Sequence, residues 1–190
     1  FEGNNKWMLS ANGTIFTYEY EAIIPGLLKR WYEERQEMQR KMRECGDNEI
    51  EREYWDKRQL VKKINLNSLY GAILNPGCRF FDMRIGQSVT LTGRCITKHM
   101  ASKVNEIVTG EYDHKGESIV YGDTDSVYFS AYKTLQKEIK DGLIPWTKDS
   151  VVGLYDKISE EVNSSFKSFM TKAFHTPATR GEVIAAGREL

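Results

Sequence analysis

The sequence predicts an α+β fold: a long antiparallel helical hairpin attached to an antiparallel sheet with packing helices. Three observations lead there. Apolar residues recur at helical spacing on both sides of the breaker Gly46-Asp47-Asn48, the strongest strand signal surrounds Gly122–Ser126, and long helical stripes lie before and after that signal. Three segments follow: residues 1–20 with short strands, 21–75 with the helical hairpin, and 76–190 with the sheet and its helices.

Trp7 to Tyr18 reads as two short strands around Asn12-Gly13, a dipeptide suited to the positive φ angles of a type I′ turn. Pro25 suits a first helical turn, where its missing N–H costs nothing. From Gly26 to Glu44, Leu27, Leu28, Trp31, Met38 and Met42 recur at helical spacing. A second helix is expected over Glu49–Tyr70 and a third over Arg84–Val108, after the breaker Asn75-Pro76-Gly77. Ile119–Tyr121 and Val127–Phe129 are apolar arms around a short acidic turn. Ser150 is placed to cap a last helix to Lys172, with Val151, Leu154, Tyr155, Ile158, Val162, Phe166 and Met170 as its buried stripe, and Glu182–Ala186 reads as a final strand.

The 190 residues are enough for a real core, and 40% hydrophobic with 28% charged residues is ordinary globular composition. No apolar run approaches the roughly 20 residues that span a bilayer, and no secretory leader opens the chain. Cys45, Cys78 and Cys95 are scattered and His99, His114 and His175 do not cluster, which argues against zinc and for reduced thiols in a cytosol-like compartment. Net charge is zero but uneven: Lys29–Lys63 is crowded with cations among Glu, whereas Asp123–Asp125 is acidic. Phe at position 1 and a structured run up to Leu190 lead us to expect a piece of a longer polypeptide.

Tyr121-Gly122-Asp123-Thr124-Asp125-Ser126 sets two carboxylates at the tip of a hairpin with apolar arms. Strand alternation puts residues i and i+2 on one face, so Asp123 and Asp125 are expected to converge on one cation, with Gly122 allowing close approach. Mg²⁺ takes one or two protein carboxylates and fills its shell with water and substrate phosphates, so the pattern points to phosphoryl transfer. A plain turn served by Asp side chains accounts for the same residues.

In Lys63-Ile-Asn-Leu-Asn67-Ser-Leu-Tyr70-Gly71, the named residues fall on one helical face. A cation, an amide, a phenol and a glycine make a poor apolar seam. They suit a surface that grips phosphates at one end and packs a flat base pair at the other. A solvated face with one buried Tyr is the alternative. Arg35, on the preceding helix, either faces the same cleft or pairs with a neighbouring Glu.

These segments resemble two motifs of the B-family DNA polymerases. Lys63-x-x-x-Asn67-Ser68-x-Tyr70-Gly71 resembles motif B and Tyr121–Ser126 resembles motif C, in the family's order and about fifty residues apart. Ser10–Gly13, the helical pair and Arg79-Phe-Phe-Asp82 are similar to replicative polymerases of T-even-type bacteriophages. The resemblance implies that the hairpin is the fingers and the sheet part of the palm. Asp125 would be the main metal-binding carboxylate, Asp123 a lesser one, and Gly122, Thr124 and Ser126 their support beside DNA. Lys63, Asn67 and Arg35 would meet the triphosphate of a dNTP, and Tyr70 with Gly71 would pack under the nascent base pair. Two Mg²⁺ ions, with Mn²⁺ as a substitute, would be the cofactors, and primer–template DNA and dNTP the partners. The fingers would rotate toward the palm when a correct dNTP arrives.

The sequence departs from the family at several points. Gln39 stands where phage relatives carry a Lys, with Arg40 and Lys41 following. Motif A (Asp-x-x-Ser-Leu-Tyr-Pro), the Lys-Lys-x-Tyr element, the exonuclease domain and the thumb are not found. A second polypeptide or missing segment is expected to supply them, and the chain to be inactive alone. The implied setting is viral DNA replication in the cytoplasm of an infected bacterial host, without a membrane partner. Competing expectations are a nucleotide-binding module without turnover, and a related palm enzyme such as a reverse transcriptase or cyclase. The latter two would be expected to carry adjacent aspartates or a Gly-Gly-Asp turn.

Overall fold

The computed structural model describes residues 2–187, so Arg188-Glu189-Leu190 lie outside the described residues. It is mixed α and β, as expected, with two small antiparallel sheets and five helices among the described residues. The chain divides into two compact units, Tyr18–Gln87 and a second formed by the N-terminal residues to Thr17 together with Ser88 onward.

The first unit is dominated by α1 (Ile23–Glu44) and α2 (Glu49–Ile73), which pack side by side as a hairpin. At about 1.5 Å per residue each is some 30–40 Å long. Asn48 caps α2 by accepting from the Glu51 N–H at 3.2 Å and donating to the Glu51 carboxylate at 3.2 Å. No residue of α1 is buried, and in α2 only Ile73 is. Polar and cation–π contacts cross between the two helices. Lys62 meets Glu34 at 2.5 Å and lies over the Trp31 ring, Lys41 sits 4.7 Å from the Trp55 ring centroid, and Arg35 donates to Gln59. The Lys62 ammonium, hydrogen-bonded to Glu34, holds that carboxyl below its usual pKa.

The second unit contains β1 (Trp7–Leu9) and β2 (Ile15–Thr17), most of α3 (Met83–Thr109), β3 (Ile119–Asp123), β4 (Ser126–Phe129), α4 (Tyr132–Lys140) and α5 (Lys148–Phe174). β1 and β2 pair in the register Trp7↔Thr17, with a five-residue loop in place of the expected two-residue turn. Ser10 closes it: its N–H donates to the Thr14 carbonyl at 2.9 Å and its hydroxyl to Asn12 Oδ1 at 2.7 Å, so only Gly13 takes a positive φ, +83°. The core is Val104 of α3 against Ile158, Val162 and Phe166 of α5, covered by Ile119 and Phe129 from the β3–β4 hairpin. Phe166 is 1% exposed, and truncating such a ring to Ala costs about 3–5 kcal/mol.

Three elements differ from expectation. The α5 cap is Thr147, whose hydroxyl accepts from the Ser150 N–H at 3.3 Å while Ser150 Oγ accepts from the Thr147 N–H at 2.9 Å, so Ser150 is the third residue of a reciprocal capping box. Glu182–Ala186 is not a strand: a 3₁₀ turn spans Gly181–Val183, and an extended stretch follows. The Ala186 N–H donates to Asn163 Oδ1 at 2.7 Å and its carbonyl accepts from Asn163 and Ser159, so α5 side chains satisfy the groups that a neighbouring strand would. α4 is additional to the expected helices.

Candidate active-site surfaces

The β3–β4 hairpin is positioned at three levels. At its base, the fully buried Asn105 of α3 accepts from the Ser118 N–H at 3.2 Å and hydroxyl at 2.7 Å, and donates to the Glu111 carbonyl at 2.8 Å. In the middle, Phe129 stacks on Tyr155 of α5 with ring centroids 4.8 Å apart. At the tip, Thr97 of α3 donates its hydroxyl to the Thr124 carbonyl at 2.8 Å.

Asp123 ends β3 and pairs with Ser126, leaving Thr124-Asp125 as a two-residue turn. Asp125 is thus outside the strand, and alternation along a strand does not govern where its carboxylate goes. Thr124 takes φ +39°, left-handed backbone that a β-branched residue adopts at a cost. Its hydroxyl donates to Asp123 Oδ1 at 3.0 Å, and Ser126 donates to the Asp123 carbonyl at 3.3 Å. Both aspartates are exposed, and Asp125 has no partner among the described residues. A Cβ on Gly122 would come no closer than 3.6 Å to the Ser126 carbonyl, so the hairpin itself does not require glycine there. Asp125 also lines a cavity of about 640 Å³, walled by β4, Met100 of α3, Tyr155 and Val162 of α5, and residues 185–187. The walls of this cavity are distant from one another in the chain, so no local sequence pattern marks it.

In the other unit, Lys63, Asn67 and Gly71 are exposed along α2 and Tyr70 is half-buried. The side chains of Lys63 and Asn67 have no hydrogen bond or ion pair among the described residues. The Tyr70 hydroxyl donates to the Gly86 carbonyl at 3.3 Å, so the ring is tethered to the first turn of α3. Gly86 is itself packed against Leu74, which leaves no room for a Cβ. At Gly71, by contrast, a Cβ would meet nothing within 4 Å. A helical glycine costs about 0.5–1 kcal/mol relative to Ala, and nothing in the packing of this chain calls for one at Gly71.

Arg35 is half-buried, and its Nε donates to Gln59 Oε1 at 3.2 Å, so its partner is an amide and not a Glu. The cations beside Gln39 are engaged within the hairpin. Arg40 pairs with Glu37 at 2.6 Å and Glu44 at 2.7 Å, which raises its pKa further, and Lys41 lies over Trp55 and 3.6 Å from Glu37. Gln59 went unnoticed in the sequence. Its one available signal is its position a single turn before Lys63 on the same stripe.

No cluster of three or more metal-ligating side chains occurs among the described residues. The donor set at the hairpin tip is two exposed carboxylates, which fits a hard cation that keeps waters and takes other ligands from its substrate.

The family model for DNA polymerase family B matches residues 4–170, and the chain belongs to that family. It is 40% identical over 80 residues to the DNA-directed DNA polymerase of Escherichia phage RB69, covering 42% of this chain and 9% of that protein. It is 36% identical over 126 residues to a DNA polymerase of Pyrococcus glycovorans, covering 66% of this chain and 15% of the relative. DNA polymerase 1 of Pyrococcus abyssi is 25% identical over 185 residues, 94% of this chain and 22% of that protein. The chain thus spans between about a tenth and a quarter of the length of these relatives.

Proposed function

We propose that this chain carries the fingers and part of the palm of a template-directed DNA polymerase of the T-even phage type, acting in viral DNA replication in an infected bacterial cytoplasm. The observation that carries this reading is the co-occurrence of two exposed surfaces in a family B chain: carboxylates at a braced hairpin tip, and unpartnered Lys63 and Asn67 on α2. Residues 21–75 are the fingers, and the segments before and after them belong to the palm. The reaction is attack of a primer 3′-hydroxyl on the α-phosphate of a dNTP, releasing pyrophosphate.

Asp125, with Asp123 beside it, would hold Mg²⁺, or Mn²⁺ in its place. Two such ions, when bound, supply positive charge opposite the attacking and leaving oxygens. Lys63 serves as a point charge for the triphosphate, Asn67 as a neutral donor to it, and Arg35 as a forked donor. Tyr70, held by Gly86, offers its ring to the nascent base pair, and Gly71 leaves the adjoining face of the helix without a Cβ. Gly122 and Ser126 leave the hairpin tip open beside DNA, while Thr124 orients Asp123. The protein's contribution is positioning and electrostatics. The remaining metal-binding carboxylate, the exonuclease and the thumb come from a second polypeptide or a further segment carrying motif A.

The test is primer extension with Mg²⁺ and dNTPs, using this chain alone and mixed with a polypeptide carrying motif A and the thumb. Extension only in the mixture, abolished by Asp125→Ala, is expected. A mixture that assembles and binds primer–template but does not extend it would leave a nucleotide-binding module instead.

A further inference from the structure

Arg35 reaches across the helical hairpin, and what it meets there decides which of its donors remain. Its Nε–H is taken by Gln59 Oε1 at 3.2 Å, and no other partner of Arg35 exists among the described residues. The two terminal amino groups of the guanidinium are therefore left as a fork. Gln59 is in turn fixed by Asp56, whose Oδ1 accepts from Gln59 Nε2 at 3.0 Å. Flipping the amide would set nitrogen against the Arg35 N–H and oxygen against the Asp56 carboxylate, two repulsive contacts, so both neighbours demand the same orientation. Gln59, Lys63 and Asn67 lie at successive i, i+4 positions of α2, which puts the Arg35 anchor about 6 Å along the helix from Lys63.

We infer that Gln59, set by Asp56, is a positioning residue that aims the Arg35 fork at the phosphates gripped by Lys63 and Asn67. This rests on reading that stripe as the triphosphate grip. The assignment bears on Gln39: Arg40 and Lys41 are tied to Glu37, Glu44 and Trp55, whereas Arg35 keeps its two terminal amino groups open. It also separates Arg from Lys at position 35. An ammonium bonded to Gln59 has no second arm of fixed geometry, whereas a guanidinium held through Nε presents two parallel donors.

The experiment measures binding of Mg·dATP, and separately of inorganic tripolyphosphate, to the 190-residue chain by calorimetry and by the shift of arginine Nε–H resonances. Four proteins are compared: the unaltered chain, Arg35→Ala, Gln59→Leu and the double variant, each with its thermal midpoint. Gln59→Leu keeps the side chain's bulk and removes the acceptor. It is expected to weaken both ligands about fivefold to tenfold and to have no further effect once Arg35 is Ala. Asp56→Asn, which keeps a neighbour for Gln59 but lets the amide flip, is expected to weaken binding less than Gln59→Leu. A lowered thermal midpoint with unchanged affinity in Gln59→Leu makes the contact a helix tie and overturns the inference while Arg35 keeps its role. Additive losses in the double variant overturn it likewise. Unchanged binding in Arg35→Ala, or no binding by the unaltered chain, removes the triphosphate reading itself and this inference with it.

Discussion

The Thr97 hydroxyl donates to the carbonyl of Thr124 at 2.8 Å, fastening the one left-handed residue of the acidic turn to α3. The bond lies between the two aspartates in sequence, so it fixes the backbone from which both carboxylates leave. Thr97→Val keeps the shape and deletes the donor. It is expected to lower stability by only about 1 kcal/mol, while weakening Mg²⁺ binding at the tip more than its small thermal effect would suggest. Magnesium titration of primer extension in the assembled enzyme checks this, with a raised Mg²⁺ requirement as the expected outcome.

Thr124 makes an opposite case. At φ +39° a β-branched side chain is strained, and Gly relieves that strain by about 1 kcal/mol. Thr124→Gly also deletes the 3.0 Å bond that orients Asp123. The thermal midpoint is expected to rise while the Mg²⁺ requirement rises too. A variant that gains stability and binds metal unchanged would free Thr124 from any role toward Asp123.

Asn105 ties the base of the β3–β4 hairpin to α3 and is costly to lose. It is fully buried, with both ends of its amide used: one to the Glu111 carbonyl, the other to the Ser118 N–H and hydroxyl. Asn105→Leu strands the buried Ser118 N–H and hydroxyl without a partner, at about 2–4 kcal/mol in all. Urea unfolding should show that loss, whereas Asn105→Ala at the same site adds a cavity and should be at least as severe.

Much of this architecture was legible because its signals are local. The α5 stripe of Ile158, Val162, Phe166 and Met170 is buried as the helical period requires, and the hairpin breaker at Gly46–Asn48 falls between α1 and α2. What was missed depends on partners far away in sequence. α4 carries only half-buried Leu135 and Ile139 among charges, too thin a stripe to stand out. Val183–Ala186 has strand-like residues, but α5 side chains fill the place of a strand partner. At the site, both motifs were visible, yet strand alternation could not place Asp125, because the turn begins at Thr124. The Arg35–Gln59 bond joins two helices whose separate periodicities say nothing of each other.

His99 makes the stability of the second unit depend on pH. It is buried, stacked on Phe169 at 4.0 Å between ring centroids. Ser165 spends its hydroxyl proton on the Val162 carbonyl at 2.6 Å, so it accepts from His99 Nε2–H at 2.9 Å, and Nδ1 then accepts from the Tyr112 hydroxyl at 2.7 Å. The ring is neutral in this arrangement. Burial first, and Lys103 second, depress its pKa below 6.5, with Glu106 partly opposing them. A depressed folded value means that the unfolded chain binds the proton more readily. The stabilisation is full above pH 6.5 and drains away as pH falls from there through the folded value. Urea midpoints between about pH 8 and pH 5.5 should fall toward acid, and His99→Phe should flatten that slope near the histidine range.

Gly71 should separate stability from function. Its helical position is exposed and a Cβ there meets nothing, so Gly71→Ala is expected to stabilise α2 by about 0.5–1 kcal/mol. If the surface beside Tyr70 receives a base pair, the same methyl group intrudes on it. The expected result is a higher thermal midpoint together with slower extension and a raised KM for dNTP in the assembled enzyme. Because the two effects have opposite signs, misfolding cannot produce both. Gly86→Ala is the control, since its Cβ collides with Leu74 and disturbs the Tyr70 tether: there stability and extension should fall together. A stabilised Gly71→Ala chain with unaltered kinetics would mean that nothing approaches this face of α2, and the assignment of Tyr70 and Gly71 to the nascent base pair would have to be abandoned.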